Sequence, residues 1–207
     1  MRVLLCAGLL VFVAQAQPRR IQTPVDNTRR FILTGSVHRH AVPANDTGPV
    51  EPSFALPGLT LRLKLSAAQQ SELDRLLRSQ QDPSSPEYRK WLTPEEYANR
   101  FGINPTDIAS ISHWLEQQGF TVTEIARGRA WIIFRGTAQQ VQGAFRTRLR
   151  RYRVDGKIHY ANATDPSLPA AFADLVSGIG GLDDFLPEPE SSRTTPLPDF
   201  RGRKCSA

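Results

Sequence analysis

The stretch DPSSPEYRKWLTPEEYANRFG, from Asp82 to Gly102, decides how this chain is organised. Pro83 and Pro86 stop the helical pattern that precedes them, because proline lacks the N–H of a helix interior and clashes with the preceding turn. The residues that follow supply a large apolar content within a short distance. We predict a structural motif made of Tyr88, Trp91, Leu92, Phe101, Gly102 and, in the next helix, Trp114.

The second half of this stretch carries the signals that begin and end a helix. Thr93 is followed by Pro94 and then by Glu96, the order of a capping box with proline at the first helical position. Gly102 comes where a helix commonly ends in a left-handed residue, a conformation that glycine adopts without strain. We therefore predict a short helix between Thr93 and Gly102.

The elements around this helix indicate an α+β fold. They are a strand at 59–65, helices capped by Ser66, Thr93 and Asn104, strands at 120–126 and 130–135, a helix capped by Thr137 and a strand at 146–154. This order is the split β-α-β pattern of a ferredoxin-like sandwich, an antiparallel sheet with helices on one face and extra helices in the first crossover. Trp91, Trp114 and Trp131 occupy apolar-periodic positions, so we predict that they pack in the core.

The motif also resembles a known family, the activation pro-domain of the sedolisin, or kumamolisin-like, serine-carboxyl peptidases. The likeness covers Leu59 to Phe185 and includes five further segments. These are WLEQQGF (Trp114 to Phe120), WIIFRGTAQQVQGAF (Trp131 to Phe145), HYAN (His159 to Asn162), DPSLPAAF (Asp165 to Phe172) and IGGLDDF (Ile179 to Phe185). The resemblance implies the non-catalytic half of a serine-type endopeptidase precursor, without its catalytic domain. It also implies a partner, a sedolisin-type catalytic domain, which is in cis in the family and would be in trans here.

The same resemblance implies a function. Such a domain assists folding of the peptidase and inhibits it until acid conditions cause release, while its C-terminal linker lies along the substrate cleft. Two alternatives remain open from the sequence. The first is a truncated fragment of a peptidase precursor with no independent function, an alternative that fits the end at 193–207, which does not resemble the family. The second is a basic surface-binding module. The resembled family is a serine-type endopeptidase, but the residues of this chain by themselves assign it no enzymatic activity.

The ends of the chain differ in composition from its middle. Arg2, the apolar run Val3 to Val13 and the sequence Ala14-Gln15-Ala16 are typical of a secretory signal peptide, cleaved between Ala16 and Gln17. We predict a signal peptide at 1–16, an extended, loosely held, proline-rich leader at 17–56, the pro-domain at 57–186 and a linker or tail at 187–207. The protein is then expected to be secreted, extracellular or periplasmic, without a membrane segment after cleavage.

No residue type in this chain stands in a recognised catalytic motif. The Gly-Thr pair Gly136-Thr137 is followed by alanine, and no serine has a nucleophile-elbow context. The His38 and His40 pair is a weak metal signal, and a solvated loop is the preferred interpretation. We therefore assign no catalytic residue, no metal ligand and no cofactor.

In a chain with a formal net charge of +6, the densest run of positive residues is the predicted strand at 146–154. Its candidate partner-docking residues are Arg148, Arg150, Arg151 and Arg153. Repulsion between these charges could protect an exposed sheet edge, or the arginines could dock a partner. Nucleic acid is a disfavoured partner, because the signal peptide directs the chain out of the cell and no nucleic-acid-binding motif is present.

Overall fold

The computed structural model describes residues 17–185, which form three small antiparallel sheets and four helices. The predicted signal peptide at 1–16 and the predicted tail at 187–207 lie outside these residues. The strands are β1 (Arg30–Ile32), β2 (Asp46–Pro49), β3 (Ala55–Leu63), β4 (Thr121–Ile125), β5 (Trp131–Thr137), β6 (Leu149–Val154), β7 (Lys157–Asn162), β8 (Ser167–Pro169) and β9 (Val176–Gly180). The helices are α1 (Ala67–Gln81), α2 (Pro94–Arg100), α3 (Pro105–Gln117) and α4 (Ala138–Phe145), with short 3-10 turns at Pro43–Asn45 and Ala170–Phe172.

The largest sheet has the strand order β4-β5-β3-β9, and every neighbouring pair is antiparallel. Numbered by their place in the split pattern, these strands read 2-3-1-4, with α1 to α3 in the first crossover and α4 in the second. The prediction of a ferredoxin-like α+β fold with extra helices in the first crossover is confirmed.

The fourth strand of this sheet is not the one that the sequence predicted. The arginine-rich segment forms β6, which lies between β2 and β7 in a separate three-stranded sheet. A two-residue turn at Asp155 and Gly156, both with positive φ, gives β6 a local partner in β7. Because β2 takes the other edge of β6, the free edge of β3 is filled instead by β9, which pairs with Thr60 to Leu63.

Local hydrogen bonds begin the helices where the sequence predicted. Three capping boxes are complete. In each, the N-cap hydroxyl accepts a hydrogen bond from the third helical N–H, and the side chain of the Glu or Gln at that third position accepts one from the N-cap backbone N–H. They pair Ser66 with Gln69, Thr93 with Glu96 and Thr137 with Gln140. Asn104 caps α3 by accepting from the N–H of Thr106. Each of these caps depends only on residues close in sequence.

Gly102 is required for a different reason from the one predicted. It does not have positive φ, so no left-handed residue ends α2 there. Instead, a Cβ at this position would lie 2.6 Å from the carbonyl oxygen of Ala98 and 2.9 Å from that of Gly128. The backbone of the β4–β5 turn therefore approaches the end of α2 too closely for any side chain at Gly102.

The core lies between the four-stranded sheet and the helices α3 and α4. Its sheet side is formed by Leu59, Leu61, Ile132 and Phe134, and its helix side by Ile111, Trp114, Leu115, Val141 and Phe145. Trp114, at 2% exposed, is the tryptophan for which the prediction of core packing is confirmed. Phe101 is also fully buried, while Tyr88 and Leu92 are half-buried.

The prediction of core packing is wrong for the other two tryptophans. Trp91 is 69% exposed and lies in the short irregular segment that leads to Thr93, and Trp131 is 44% exposed on β5. Successive strand residues point to opposite faces, and Ile132 and Phe134 point to the core. Trp131 therefore faces outward, which the uninterrupted apolar sequence around it did not reveal.

The segment at 17–56, predicted to be loosely held, instead packs on the rest of the domain. Ile21, Leu33 and Val50 from this segment are buried members of the core. Its strands are also paired, β1 with β8 and β2 with β6. Prolines set the extended backbone, but apolar side chains between them provide the attachment.

Asp107 holds the start of this segment to α3. Its carboxylate is fully buried and accepts hydrogen bonds from the backbone N–H groups of Arg20 at 2.7 Å and Ile21 at 3.1 Å. A guanidinium nitrogen of Arg19 lies 3.9 Å away. A buried charge of this kind is stable only when donors surround it, so the first described residues and α3 fix one another. Within residues 17–185, no helix combines the length and apolarity needed to cross a bilayer.

Replacing Trp114 should destabilise the domain far more than replacing Trp91. We expect Trp114→Ala to lower the free energy of unfolding by about 3–5 kcal/mol, because it removes buried area and leaves a cavity. Trp91→Ala is the matched control and should change it by less than about 0.5 kcal/mol, as surface substitutions usually do. Urea unfolding of both variants measures the difference, and equal losses would contradict the assignment of Trp91 to the surface.

Removing the Asp107 carboxylate should release the N-terminal segment. Asp107→Ala leaves two backbone N–H groups without an acceptor, at a cost of roughly 1–3 kcal/mol for each buried unsatisfied donor. We expect trypsin to cleave after Arg20, Arg29 or Arg30 faster than in the unmodified chain. Glu116→Ala, an exposed change on the same helix, is the control. An unchanged cleavage rate in Asp107→Ala would show that other contacts hold this segment.

Candidate functional site

The four-stranded sheet is covered by helices on one face and open to solvent on the other. The open side, which we call the outer sheet face, consists of Thr60, Arg62, Glu124, Trp131, Ile133 and Arg135. Register places Arg62 opposite Trp131 and Thr60 opposite Ile133, so their side chains share this face. An indole and an aliphatic side chain thus lie beside a guanidinium at the centre of the sheet.

The outer sheet face has a composition suited to binding another protein. Tryptophan and arginine are the residues most enriched among those that dominate interface energies. On the neighbouring strand, Gly178 and Gly180 lie opposite Arg62 and Thr60 and add no side chains that would rise above them. The face is therefore a shallow, preformed surface with one large exposed ring. Its charged residues are two arginines, Arg62 and Arg135, and one carboxylate, Glu124, so its net charge is positive.

The arginine strand does not form the exposed edge that the sequence suggested. It is the central strand of its sheet, so its charges protect no free edge. Arg150 forms an ion pair with Asp46, and Arg151 forms one with Glu51. Arg148 and Arg153 are exposed. The docking role of these four residues stays a prediction, and two of them already hold the segment at 46–51 in place.

The Gly136-Thr137 pair has a structural role. Thr137 caps α4, and a Cβ on Gly136 would overlap the ring of Phe120. Two adjacent carboxylates at the start of α2 also have structural partners, because Glu95 forms an ion pair with Arg127 at 2.7 Å and Glu96 closes the capping box. Among residues 17–185, no group of three or more His, Cys, Asp or Glu side chains is arranged to hold a metal ion.

Sequence reasoning missed a cluster of aromatic rings at the end of the described chain. His38, His40 and His159 surround the ring of Phe185, with centroid distances of 4.0, 5.9 and 4.4 Å. The sequence predicts a solvated loop for His38 and His40, whereas the structure places both rings beside Phe185. No short motif joins these positions, because the three parts of the chain meet only through the fold.

The Arg150–Asp46 pair predicts a pH-dependent contribution to stability. The hydrogen bond from Arg150 holds the pKa of Asp46 below its ordinary value. A carboxyl group of this kind stabilises the fold above its unfolded pKa of about 3.9, and the contribution is lost as pH falls through the lower folded value. Asp46→Asn should therefore lower the thermal midpoint at pH 7 and have little effect near pH 2.

The control for this measurement is Asp155→Asn. Asp155 lies in the β6–β7 turn with φ of 49°, a conformation that asparagine also tolerates. Its substitution should leave the thermal midpoint almost unchanged at both pH values. A loss in Asp46→Asn that is equally large at pH 2 would show that the amide disturbs packing and that charge pairing is not the cause.

Comparison with known proteins identifies the family of this domain. The model of the pro-kumamolisin activation domain matches residues 44–185. Xanthomonalisin of Xanthomonas sp. (strain T-22) is 29% identical over 162 residues, covering 78% of this chain and 19% of that protein. Kumamolisin of Bacillus sp. (strain MN-32) is 26% identical over 182 residues, covering 86% and 30%. Tripeptidyl-peptidase 1 of Mus musculus is 31% identical over 145 residues, covering 67% and 25%.

In each of these matches, the aligned region covers a much larger share of this chain than of the relative. Most of this chain aligns, but it spans less than a third of the length of each of these relatives. The alignment is therefore to one part of a longer peptidase precursor, as the domain model describes. From the match over residues 44–185 and the ferredoxin-like fold, this chain belongs to the pro-kumamolisin activation domain family.

Proposed function

We propose that this chain is the pro-domain of a secreted, sedolisin-type serine peptidase, which aids folding of the catalytic domain and inhibits it until acid pH releases it. The observation that carries the proposal is the family match over residues 44–185, on a domain whose main sheet keeps one face open to solvent. Secretion is part of the proposal and rests on the predicted signal peptide at 1–16.

The outer sheet face is the surface proposed to contact the catalytic domain. Trp131, with Ile133 beside it, supplies apolar area that becomes favourable when water is excluded. Arg62 and Arg135 favour a partner surface that carries carboxylates, because opposite charges attract and steer the encounter. A sheet that is already folded could also template the partner, since its backbone loses little further entropy on binding.

Acid release follows from carboxylates at such an interface. A partner carboxylate that pairs with Arg62 or Arg135 would have a lower pKa in the complex than in the free peptidase. Its contribution to binding is then present above the free pKa, about 3.9 for Asp and 4.3 for Glu, and is lost as pH falls through the bound value. Binding should therefore be tight near neutral pH and weak in acid.

Inhibition in trans tests this proposal. The chain, without its predicted signal peptide, is titrated against an isolated sedolisin-type catalytic domain, with a peptide substrate, over the pH range where that peptidase turns over. We expect inhibition that weakens as pH falls. Trp131→Ala should raise the inhibition constant at least tenfold, which corresponds to about 1.4 kcal/mol.

Two variants make this test specific. Trp91→Ala is the matched control, because it removes an equally large exposed ring from outside the outer sheet face. The double variant Arg148→Ala, Arg153→Ala tests the predicted docking role of these arginines. If they contact the partner, the double substitution should weaken binding more at low salt than at high salt. No inhibition from a folded chain at any pH would favour the alternative of a precursor fragment without independent function.

A further inference from the structure

The strand β9 forms one edge of the four-stranded sheet. It pairs with β3 on one side, and no strand within residues 17–185 pairs with it on the other side. Ser177 is exposed, and Gly178, Ile179 and Gly180 are half-buried, so solvent reaches this edge. An open sheet edge presents unpaired backbone N–H and carbonyl groups, to which an extended peptide can add as a further strand.

Strand alternation identifies the unpaired groups of β9. The N–H of Leu63 points towards β5, where it donates to the carbonyl oxygen of Ala130 at 2.9 Å. Its neighbour Arg62 therefore points the other way and bonds with Gly178, which lies opposite it on β9. The next residue, Ile179, must then direct its N–H and its carbonyl oxygen away from β3. These two groups are the hydrogen-bonding site at the open edge.

The side chain of Arg62 extends across the outer sheet face towards this edge. A Cβ at Gly180 would lie 3.5 Å from Nη2 of Arg62, whereas a Cβ at Gly178 would meet nothing within 4 Å. Arg62 is exposed and takes part in none of the ion pairs formed within residues 17–185. A positive charge without a carboxylate partner in this part of the chain therefore lies beside the unpaired backbone groups of Ile179.

We propose that the β9 edge binds an extended, acidic segment of another polypeptide, which adds to the sheet as a further antiparallel strand through the backbone of Ile179. The residue of that segment opposite Ile179 is apolar, and the residue opposite Gly180 is Asp or Glu. The proposal concerns this edge by itself and does not require the proposed function to be correct.

The register determines this pattern of side chains. The residue opposite Ile179 lies on the face that the helices cover, where Ile179 packs against the core and is only partly buried. An apolar side chain there removes further apolar area from water. The residue opposite Gly180 lies on the outer sheet face, about 4.8 Å further out. Because glycine has no side chain to intervene, a carboxylate at that position can accept two parallel N–H donors from the Arg62 guanidinium.

The opposite edge of the same sheet is less suited to an acidic strand. The register of β4 shifts between Val122 and Glu124, and a bulge of this kind disrupts pairing with an additional strand. Glu124 is also exposed, and like charges on adjacent strands repel. An acidic segment is therefore directed to β9.

A second copy of this chain is a poorer occupant of the β9 edge. Two antiparallel β9 strands, with the sequence Val-Ser-Gly-Ile-Gly, supply no carboxylate to either sheet. Pairing would also bring the two Arg62 guanidinium groups together on one face, where they repel. The same arginine thus selects an acidic strand and disfavours pairing of the domain with itself.

A peptide titration followed by amide resonances tests the proposal. The chain from Gln17 to Ala207, labelled with nitrogen-15, is mixed at neutral pH with the peptide Thr-Thr-Glu-Val-Glu-Thr-Thr up to millimolar concentration. We expect the amide resonance of Ile179 to move and its hydrogen exchange to slow by about tenfold, because its N–H gains an acceptor. The amide of Thr123, on the opposite edge, should not respond.

Methylated peptides separate strand addition from simple attraction between charges. A methyl group on the nitrogen of the central valine removes the N–H that pairs with the carbonyl oxygen of Ile179, so the dissociation constant should rise at least tenfold. The same group on the preceding glutamate is the matched control, because alternation directs that N–H away from β9. Its effect should be less than about threefold.

Substitutions in the chain test the choice of an acidic strand. Arg62→Gln should weaken binding of the glutamate peptide at least threefold and should leave binding of Thr-Thr-Gln-Val-Gln-Thr-Thr unchanged. Arg135→Gln is the control, because it makes the same change on the same face with β3 between it and β9. Circular dichroism checks that both variants are folded.

Four results would overturn the proposal. The first is an Ile179 amide that does not respond to millimolar peptide, and the second is equal binding of the two methylated peptides. The third is an unchanged preference for glutamate over glutamine in Arg62→Gln. The fourth is protection of the Ile179 amide that appears without peptide and grows with the concentration of the chain, which would make a second copy the occupant of this edge.

Discussion

The burial of Trp114 joins parts of the chain that are distant in sequence. Its ring on α3 meets Phe145 of α4 at a centroid distance of 5.9 Å and Phe172 of the second 3-10 turn at 5.4 Å. Its indole N–H donates to the side chain of Asn27 at 2.8 Å, which satisfies the polar atom of an otherwise apolar ring. Both crossovers of the ferredoxin-like pattern and the first described segment therefore depend on this one side chain.

Packing on one side of the sheet has a consequence for the other side. Because α3 and α4 cover Ile132 and Phe134, strand alternation turns Trp131 and Ile133 towards solvent. Trp131, 44% exposed, is therefore accessible to a partner, as the proposed function requires. The same geometry that builds the core thus creates the surface on which the proposed inhibition depends.

Several charged side chains attach the first described residues to the centre of the domain. Asp107 accepts the backbone N–H groups of Arg20 and Ile21, and Arg150 pairs with Asp46. These contacts convert a proline-rich segment into part of the folded unit. The carboxylate of Asp184 does the same for the chain end at 183–185, because it accepts a hydrogen bond from the backbone N–H of Tyr160 at 2.8 Å.

Local signals in the sequence determined the helix starts and the β6–β7 turn. The capping residues Ser66, Thr93 and Thr137 and the Asp155-Gly156 pair act on backbone groups only a few residues away, so they can be identified without knowledge of the fold. The order of elements and the family motif were also sufficient to predict the ferredoxin-like fold.

Only the tertiary structure decided which strand completes the sheet, which tryptophans are buried and which rings surround Phe185. β6 and β9 both fit as a fourth strand until their partners are known, and the run Trp131-Ile132-Ile133 has no polar alternation to show its inner face. His38, His159 and Phe185 meet only after separate parts of the chain have packed. Contacts of this kind depend on long-range packing, and a single sequence contains no local pattern from which to infer them.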